Sequence, residues 1–178
     1  QLRDWRNDPD IFSRVREYRF LNMENQEAWF TSLQDDRKTI MFGIEKQIVP
    51  AVGYKQDANY QVNIKWELIG VCGLTNIDWI GRKAEVSVYI GDSSMRGQGL
   101  GVEILNTLSK YAFEECNLYK LWGEIYSNNS TSEKTFKKAG YEFEGILMDH
   151  TFKNGRYLNS LFYALFRDVW NKNDVARV

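Results

Sequence analysis

Two features of this 178-residue sequence could do chemistry. The first is the run Ser94-Met95-Arg96-Gly97-Gln98-Gly99-Leu100-Gly101. A glycine-rich turn that opens a helix leaves backbone N–H groups unpaired at the positive helix end, and such an end holds phosphate. Glycines let the backbone approach an anion without a Cβ in the way. Arg96 adds a fixed positive charge. The run is not a Walker loop, because no Gly-Lys-Ser/Thr follows. It is not a dinucleotide fingerprint either, because it lies mid-chain with no strand–helix–strand series and acidic ribose ligand after it. Taken alone it also fits a plain strand-to-helix turn. The second feature is Glu85, in the alternating run Ala84-Glu85-Val86-Ser87-Val88-Tyr89-Ile90 that feeds the loop. Glu85, Ser87 and Tyr89 share one face of that strand by its period of two. A carboxylate at a covered strand position needs a partner or a purpose.

The elements that position these groups can be read in order. Pro9 suits the first turn of a helix through Ile11, Val15 and Tyr18. Asn22 reads as the N-cap of a second helix through Trp29, Phe30 and Leu33, whose apolar stripe reads as core. Thr39–Ile44 reads as a buried strand. Residues 49–65 break the pattern and read as a decorated hairpin or a lid. A long strand over Trp66–Ile77 carries Gly70 and Gly73 at bulge or close-approach positions. A strand over Arg82–Gly91, a helix from Gly99 to Glu115 and a strand over Leu118–Tyr126 follow. Ser130-Thr131-Ser132-Glu133 reads as a capping box opening a short helix that ends at Gly140. The strands Tyr141–Phe152 and Tyr157–Phe166 are joined by Lys153-Asn154-Gly155-Arg156, whose Asn-Gly signals a hairpin. No repeat or linker divides the chain, so residues 1–178 are expected to form one domain.

Composition narrows the function. A net charge of −1 gives no electrostatic footprint for nucleic acid or an anionic membrane. No apolar run approaches a bilayer span, and no signal-peptide pattern is visible, although the sequence opens on Gln1 rather than Met. Cys72 and Cys116 lie in apolar surroundings without a CxxC and read as reduced, buried thiols of a cytoplasmic protein. With His150 as the single histidine, no metal site is expected.

Arg96-Gly97-Gln98-Gly99-Leu100-Gly101 resembles the acyl-CoA pyrophosphate loop of the GNAT N-acetyltransferase superfamily, Arg/Gln-x-x-Gly-x-Gly/Ala. Asn129-x-x-Ser132 with Gly140-Tyr141 eight residues later resembles the family's Asn-x-x-Ser…Gly-Phe/Tyr segment, and the Glu144-Gly145 that follows fits as well. Trp5-Arg6-Asn7-Asp8-Pro9 and Ala28-Trp29-Phe30 are similar to the branch that acetylates ribosomal-protein alanines, spermidine and nucleotide-linked amino sugars. The resemblance covers the chain apart from residues 49–65. It implies an α/β (α+β) GNAT fold, a mixed central sheet of six to seven strands with helices on both faces.

The resemblance also implies transfer of acetyl from acetyl-CoA, as co-substrate, directly to a primary amine. The amine must arrive neutral, the carbonyl oxygen must be polarised, and proximity must supply much of the rate. By analogy a backbone N–H near Val88, Tyr89 and Ile90 polarises the carbonyl. Arg96, Gly97, Gln98, Gly99, Leu100 and Gly101 would hold the pyrophosphate, and Asn129 and Ser132 the pantetheine arm. Glu85 would be the base or the amine anchor, or else a structural carboxylate paired with Arg82, Lys83 or another cation. Many relatives carry a tyrosine four residues before the Gly-Phe/Tyr pair to protonate the leaving thiolate. Phe136 stands there, so either that proton comes from water or another group such as Tyr126 or Tyr141, or the protein turns over poorly. The expected acceptor is a small amino compound, an amino sugar ahead of a polyamine, with a protein N-terminus as the alternative. A non-catalytic acyl-CoA-binding domain is a further one. A homodimer is possible under any of these readings.

Overall fold

The computed structural model describes residues 1–48 and 64–175. The expected hairpin or lid over residues 49–65 lies almost wholly outside the described residues. Three short helices come first: α1 (Leu2–Asn7), α2 (Pro9–Phe12) and α3 (Met23–Ser32). Asp8 caps α2, with Pro9 at its first position, and Asn22 caps α3 in a reciprocal box with Asn25. The helix expected from Pro9 to Tyr18 stops at Phe12. Residues 13–22 form turns and extended chain instead.

Among the described residues six strands form one mixed sheet in the order β1-β2-β3-β4-β6-β5. They are β1 (Ile40–Ile48), β2 (Lys65–Asp78), β3 (Lys83–Ile90), β4 (Lys120–Tyr126), β5 (Glu142–Lys153) and β6 (Arg156–Phe166). Helices α4 (Leu100–Glu114), α5 (Ser130–Lys138) and α6 (Arg167–Val175) complete the chain. β1 is an edge strand and half-exposed, so Thr39–Ile44 is not the buried strand its composition suggests. Its ladder with β2 slips between Ile44 and Glu45, opposite Gly70 and Leu68. The β5–β6 hairpin turns on Asn154 and Gly155, both at positive φ (52° and 78°), as an Asn-Gly turn of this kind requires.

One face of the sheet is dry. Leu74, Ala84, Val86, Leu121 and Ile125 of the strands pack against Leu105, Leu108, Ala112 and Phe113 of α4, with Phe136 and Ala139 from the α5 region. Tyr141 is sealed in this core, its hydroxyl bonded to Ser109 Oγ at 2.9 Å. The opposite face, carrying Glu85 and Tyr89, is covered by the N-terminal segments. Gln26 is the buried residue of α3, while Phe30 stays exposed, so the Trp29–Leu33 stripe is not core. Among the described residues no helix is long and apolar enough to cross a membrane. Cys72 is buried and its thiol is pushed up to about 11 by burial; Cys116 is half-buried, and both are free.

Parallel strands β3 and β4 pair only through Lys83–Lys120, Ala84–Leu121 and Glu85–Trp122. Past Glu85 the two strands part, although β3 runs on to Ile90 and β4 to Tyr126. Phe136 lies at the fork: a Cβ on Gly123 would fall 2.4 Å from its ring. The split leaves every second N–H and C=O on the facing edges of Val86–Ile90 and Gly123–Tyr126 without a ladder partner.

Candidate active site

Two cavities meet at this split. One, about 420 Å³, is lined by Arg96, Gly97, Gly99, Leu100 and Gly101 on one side and by Lys134, Thr135 and Lys138 of α5 on the other. The second, about 380 Å³, is lined by Asn76, Glu85, Ser87, Glu124, Tyr126 and the N-terminal residues Arg6, Arg16 and Trp29. Val88, Tyr89, Asn129, Ser132 and Phe136 line both. The cavities are two ends of one cleft that passes between the parted strands.

The first end is shaped for an anion. Gly99 is the N-cap of α4 with φ +84°, and no side chain satisfies the N–H groups that follow it. Gly97 has φ +78°, and a Cβ at either glycine would meet nothing within 4 Å, so both face open space. Gly101 is needed for another reason: a Cβ there would lie 2.9 Å from Thr135 Cγ2, where α5 closes on α4. These groups fit the pyrophosphate of an acyl-CoA: free N–H donors, a positive helix end and room between α4 and α5.

The remaining residues expected at this end divide. Arg96 donates from Nε to Ile90 O at 3.0 Å and from Nη2 to Gly91 O at 3.1 Å. It braces the loop from beneath with its charge beside the cavity. Gln98 does not line the cavity; its amide turns back to Ser94 O at 2.8 Å. Asn129 is itself the cap of α5, accepting from Ser132 N at 3.2 Å. Ser130 is therefore the first helical residue rather than the cap, and Glu133 binds Lys137 and Tyr163 instead of closing a box. Lys134 and Lys138, one helical turn apart, add positive charge that the loop motif did not reveal.

The second end is a network of side chains. Glu85 is 3% exposed. Its Oε2 accepts from Asn76 Nδ2 at 2.8 Å, and its Oε1 pairs with Arg16 Nη2. Asn76 reaches inward because it sits at φ 51°, a left-handed conformation asparagine tolerates, where the β2–β3 ladder slips. The same guanidinium pairs through Nε with Glu124 Oε2 at 3.2 Å. Glu124 Oε1 accepts from Ser160 Oγ at 2.5 Å. The partner of Glu85 is thus Arg16, not Arg82 or Lys83: Arg82 holds the Asn117 carbonyl and side chain, and Lys83 faces Asp78.

Arg16 is delivered by the irregular stretch after α2. Lys153, 7% exposed, pins that stretch by donating to Phe12 O at 3.2 Å and Glu17 O at 2.6 Å. Asn7 and Leu21 hold its far end through two bonds of 2.8 Å. Tyr126 lines the chamber with a buried hydroxyl that has no hydrogen-bond partner among the described residues. Burial, and then the charge of Glu124, push its phenol upward, so it stays protonated at neutral pH. His150 is exposed and lines neither cavity.

Asn76, Glu124, Ser160 and Lys153 were not singled out as site residues by sequence reasoning, and Arg16 stood out only as one of five N-terminal arginines, Arg3, Arg6, Arg14, Arg16 and Arg19, that could hold a nucleotide diphosphate. Glu124 carried a readable signal, an acidic residue inside the alternating strand Lys120–Tyr126, the same signal that marks Glu85.

Known proteins give the same picture. Residues 1–142 match the family described as Acetyltransferase (GNAT) domain. A spermidine N(1)-acetyltransferase of Escherichia coli is 28% identical over 113 residues, 64% of this chain and 60% of that protein. The match therefore spans less than two thirds of that relative's length. A putative ribosomal N-acetyltransferase of Bacillus subtilis is 25% identical over 169 residues, 92% of this chain and 90% of that one. The crystal structure of spermidine N-acetyltransferase from Vibrio cholerae, in complex with CoA and spermine, superposes with a TM-score of 0.79 at 22% identity, over 96% of this chain and 90% of that one, and so shares its fold. The chain belongs to the GNAT acetyltransferase domain family.

Proposed function

We propose that this protein is an acetyl-CoA-dependent N-acetyltransferase acting on the primary amine of a small cationic acceptor of the polyamine class. The observation that carries the reading is the continuity of the two cavities through the split between β3 and β4, with Glu85 on the acceptor side. When bound, acetyl-CoA supplies an activated acetyl group as its thioester. The chain's part is to hold and aim the two reactants. The α4 N-terminus with Gly97, Gly99 and Gly101 binds the pyrophosphate, and Asn129 and Ser132 line the passage for the pantetheine arm. N–H groups of β3 among Val88–Ile90 point into the split, where they can polarise a carbonyl.

Glu85 takes a proton from the incoming ammonium, directly or through water, which frees the lone pair that attacks. Tyr141 is sealed in the core and cannot serve as an acid at this site. Tyr89 and Tyr126 are the phenols that line the cleft, and water is the other source of a proton for the leaving sulfur.

The acceptor class rests on charge. The two most buried charged side chains of the chamber, Glu85 and Glu124, are both acidic. Relatives with a stated small-molecule substrate include the spermidine acetyltransferases of Escherichia coli and Vibrio cholerae. A nucleotide-linked amino sugar would bring a diphosphate, and three of the five N-terminal arginines are paired with acids: Arg3 with Asp4, Arg19 with Glu17 and Arg16 with the two buried carboxylates. Arg6 and Arg14 line the chamber, Arg6 at 5.9 Å from the Trp29 ring centroid. The amino-sugar preference drawn from the sequence therefore gives way to the polyamine alternative. A protein N-terminus is the second reading, favoured by the near full-length match to the putative ribosomal acetyltransferase.

The test is a panel of spermidine, a nucleotide-linked amino sugar and an N-terminal alanine peptide with acetyl-CoA. CoA thiol release and the acetylated product, identified by mass spectrometry, are followed together. Spermidine should turn over best. Preferred acetylation of the peptide would move the assignment to the second reading, and CoA binding without turnover of any amine would leave an acyl-CoA-binding domain.

A further inference from the structure

At the centre of the acceptor chamber two buried carboxylates share one cation. Glu85 and Glu124 approach each other from the two strands that part, and one guanidinium spans them. Within that trio two carboxylates and one arginine leave one negative charge, and Arg6, Arg14 and Glu17 on the chamber wall bring the lining as a whole to neutrality.

The three partners also differ in how they are held. The carboxylates stand on strands β3 and β4, and each has a second donor of its own, Asn76 for Glu85 and Ser160 for Glu124. Their side chains are 4% and 9% exposed, while that of Arg16 is 54% exposed. Arg16 reaches in from a stretch with no helix or strand. The anions are therefore fixed by the sheet, and the cation is a long, half-exposed side chain whose place an incoming cation can take. If Arg16 swings outward, Asn76 and Ser160 still hold both carboxylates.

We infer that Arg16 is an internal stand-in for the acceptor's own cations: a diamine displaces its guanidinium from Glu85 and Glu124, and Glu124 takes the ammonium that is not acetylated. The inference rests on the proposed reading of a cationic acceptor and adds the residues that select it. A diamine can satisfy both carboxylates that one guanidinium now spans. A monoamine satisfies one and leaves the other to Arg16. Arg16 thus competes with every acceptor, and it competes least well against molecules with two positive charges at a short spacing.

The experiment is calorimetric titration of the CoA-saturated protein with 1,4-diaminobutane and with n-butylamine. Glu124→Gln should weaken 1,4-diaminobutane roughly 10- to 100-fold, the usual worth of a hydrogen bond to a charged group, and n-butylamine only a few-fold. Arg16→Gln should do the opposite and tighten 1,4-diaminobutane, because its competitor is gone and the two carboxylates remain. Melting temperature and CoA affinity check that each variant is folded. Should Arg16→Gln not fold, Arg16→Lys keeps the charge but cannot span both carboxylates, and it should tighten the diamine to a lesser degree. Weakened diamine binding in either arginine variant would overturn the inference, because Arg16 would then be part of the binding surface. So would equal responses of the two amines to Glu124→Gln. If the CoA-saturated wild-type protein binds neither amine, the cationic-acceptor reading itself fails, and the inference with it.

Discussion

At the proposed cofactor end of the cleft the groups on offer are backbone N–H groups of one contiguous stretch, Gly97–Gly101, at the head of one helix. At the acceptor end they are side chains brought together from five separate segments: Arg16, Asn76, Glu85, Glu124 and Ser160. The first arrangement suits a ligand part common to every acyl-CoA, since backbone geometry is indifferent to most substitutions. The second can change acceptor by exchanging one side chain while the fold stays as it is. The two ends should therefore fail separately, and variants can break or sharpen that contrast.

The largest effect is expected from Gly99→Glu. It places a side chain at φ +84°, which costs about 1–2 kcal/mol for an L-residue, and sets a negative charge where the anion binds. At a hundredfold excess over its Kd, acetyl-CoA should stabilise the wild-type protein by about 2.7 kcal/mol and the variant by nothing. Open space around Gly99 means that the variant should still fold. An undiminished melting shift with acetyl-CoA would remove the loop from the site.

Glu85→Gln comes next, at the other end. It should lower kcat/KM by roughly 10²–10⁴, the size of general-base effects, with CoA affinity unchanged. Intact turnover with lowered stability would make Glu85 a structural partner of Arg16 and nothing more.

Phe136→Tyr addresses the fork itself and should change kcat only a few-fold. A thiolate leaves readily, its thiol being acidic near a pKa of about 8.5. A gain of roughly a thousandfold, about 4 kcal/mol of barrier, would mean that the natural chain is a crippled catalyst and would favour the binding-domain alternative.

The smallest effect concerns Asp92, which anchors the turn leading into the loop. Hydrogen bonds from Ser94, then from Lys46, pull its carboxyl from 3.8 to about 2. Because the folded value lies below the unfolded one, its stabilisation is complete above 3.8 and is lost as pH falls towards 2. Asp92→Asn should melt below wild type at neutral pH and converge with it in acid. A gap that stays constant with pH would mean that the carboxylate charge contributes nothing.

The same contrast explains what was legible in the sequence. The strand, glycine loop and helix around Arg96 are local, so spacing and residue type sufficed for β3, α4 and the Asn-Gly hairpin. Glu85 was legible because period-two alternation marks an acid on a covered face. Glu124 carried the same mark but lay outside any motif. Arg16 was legible only as one N-terminal arginine among five, since its partners lie 69 and 108 positions further along the numbering. Helix α2 ended at Phe12, beyond the reach of local pattern, where Lys153, 141 residues on, takes the carbonyl of Phe12. Trp29 and Phe30 looked like core because aromatic residues at helical spacing usually are, yet Trp29 lines the acceptor chamber and Phe30 faces solvent.

The central claim is direct transfer across the split between β3 and β4, with both reactants in the cleft at once. Initial rates measured over a grid of acetyl-CoA and spermidine concentrations test it most directly. The account predicts reciprocal plots that intersect, as a ternary complex requires, with no acetylated protein formed from acetyl-CoA alone. Parallel plots, together with an acetyl group recovered on the protein, would mean a covalent intermediate and would contradict it.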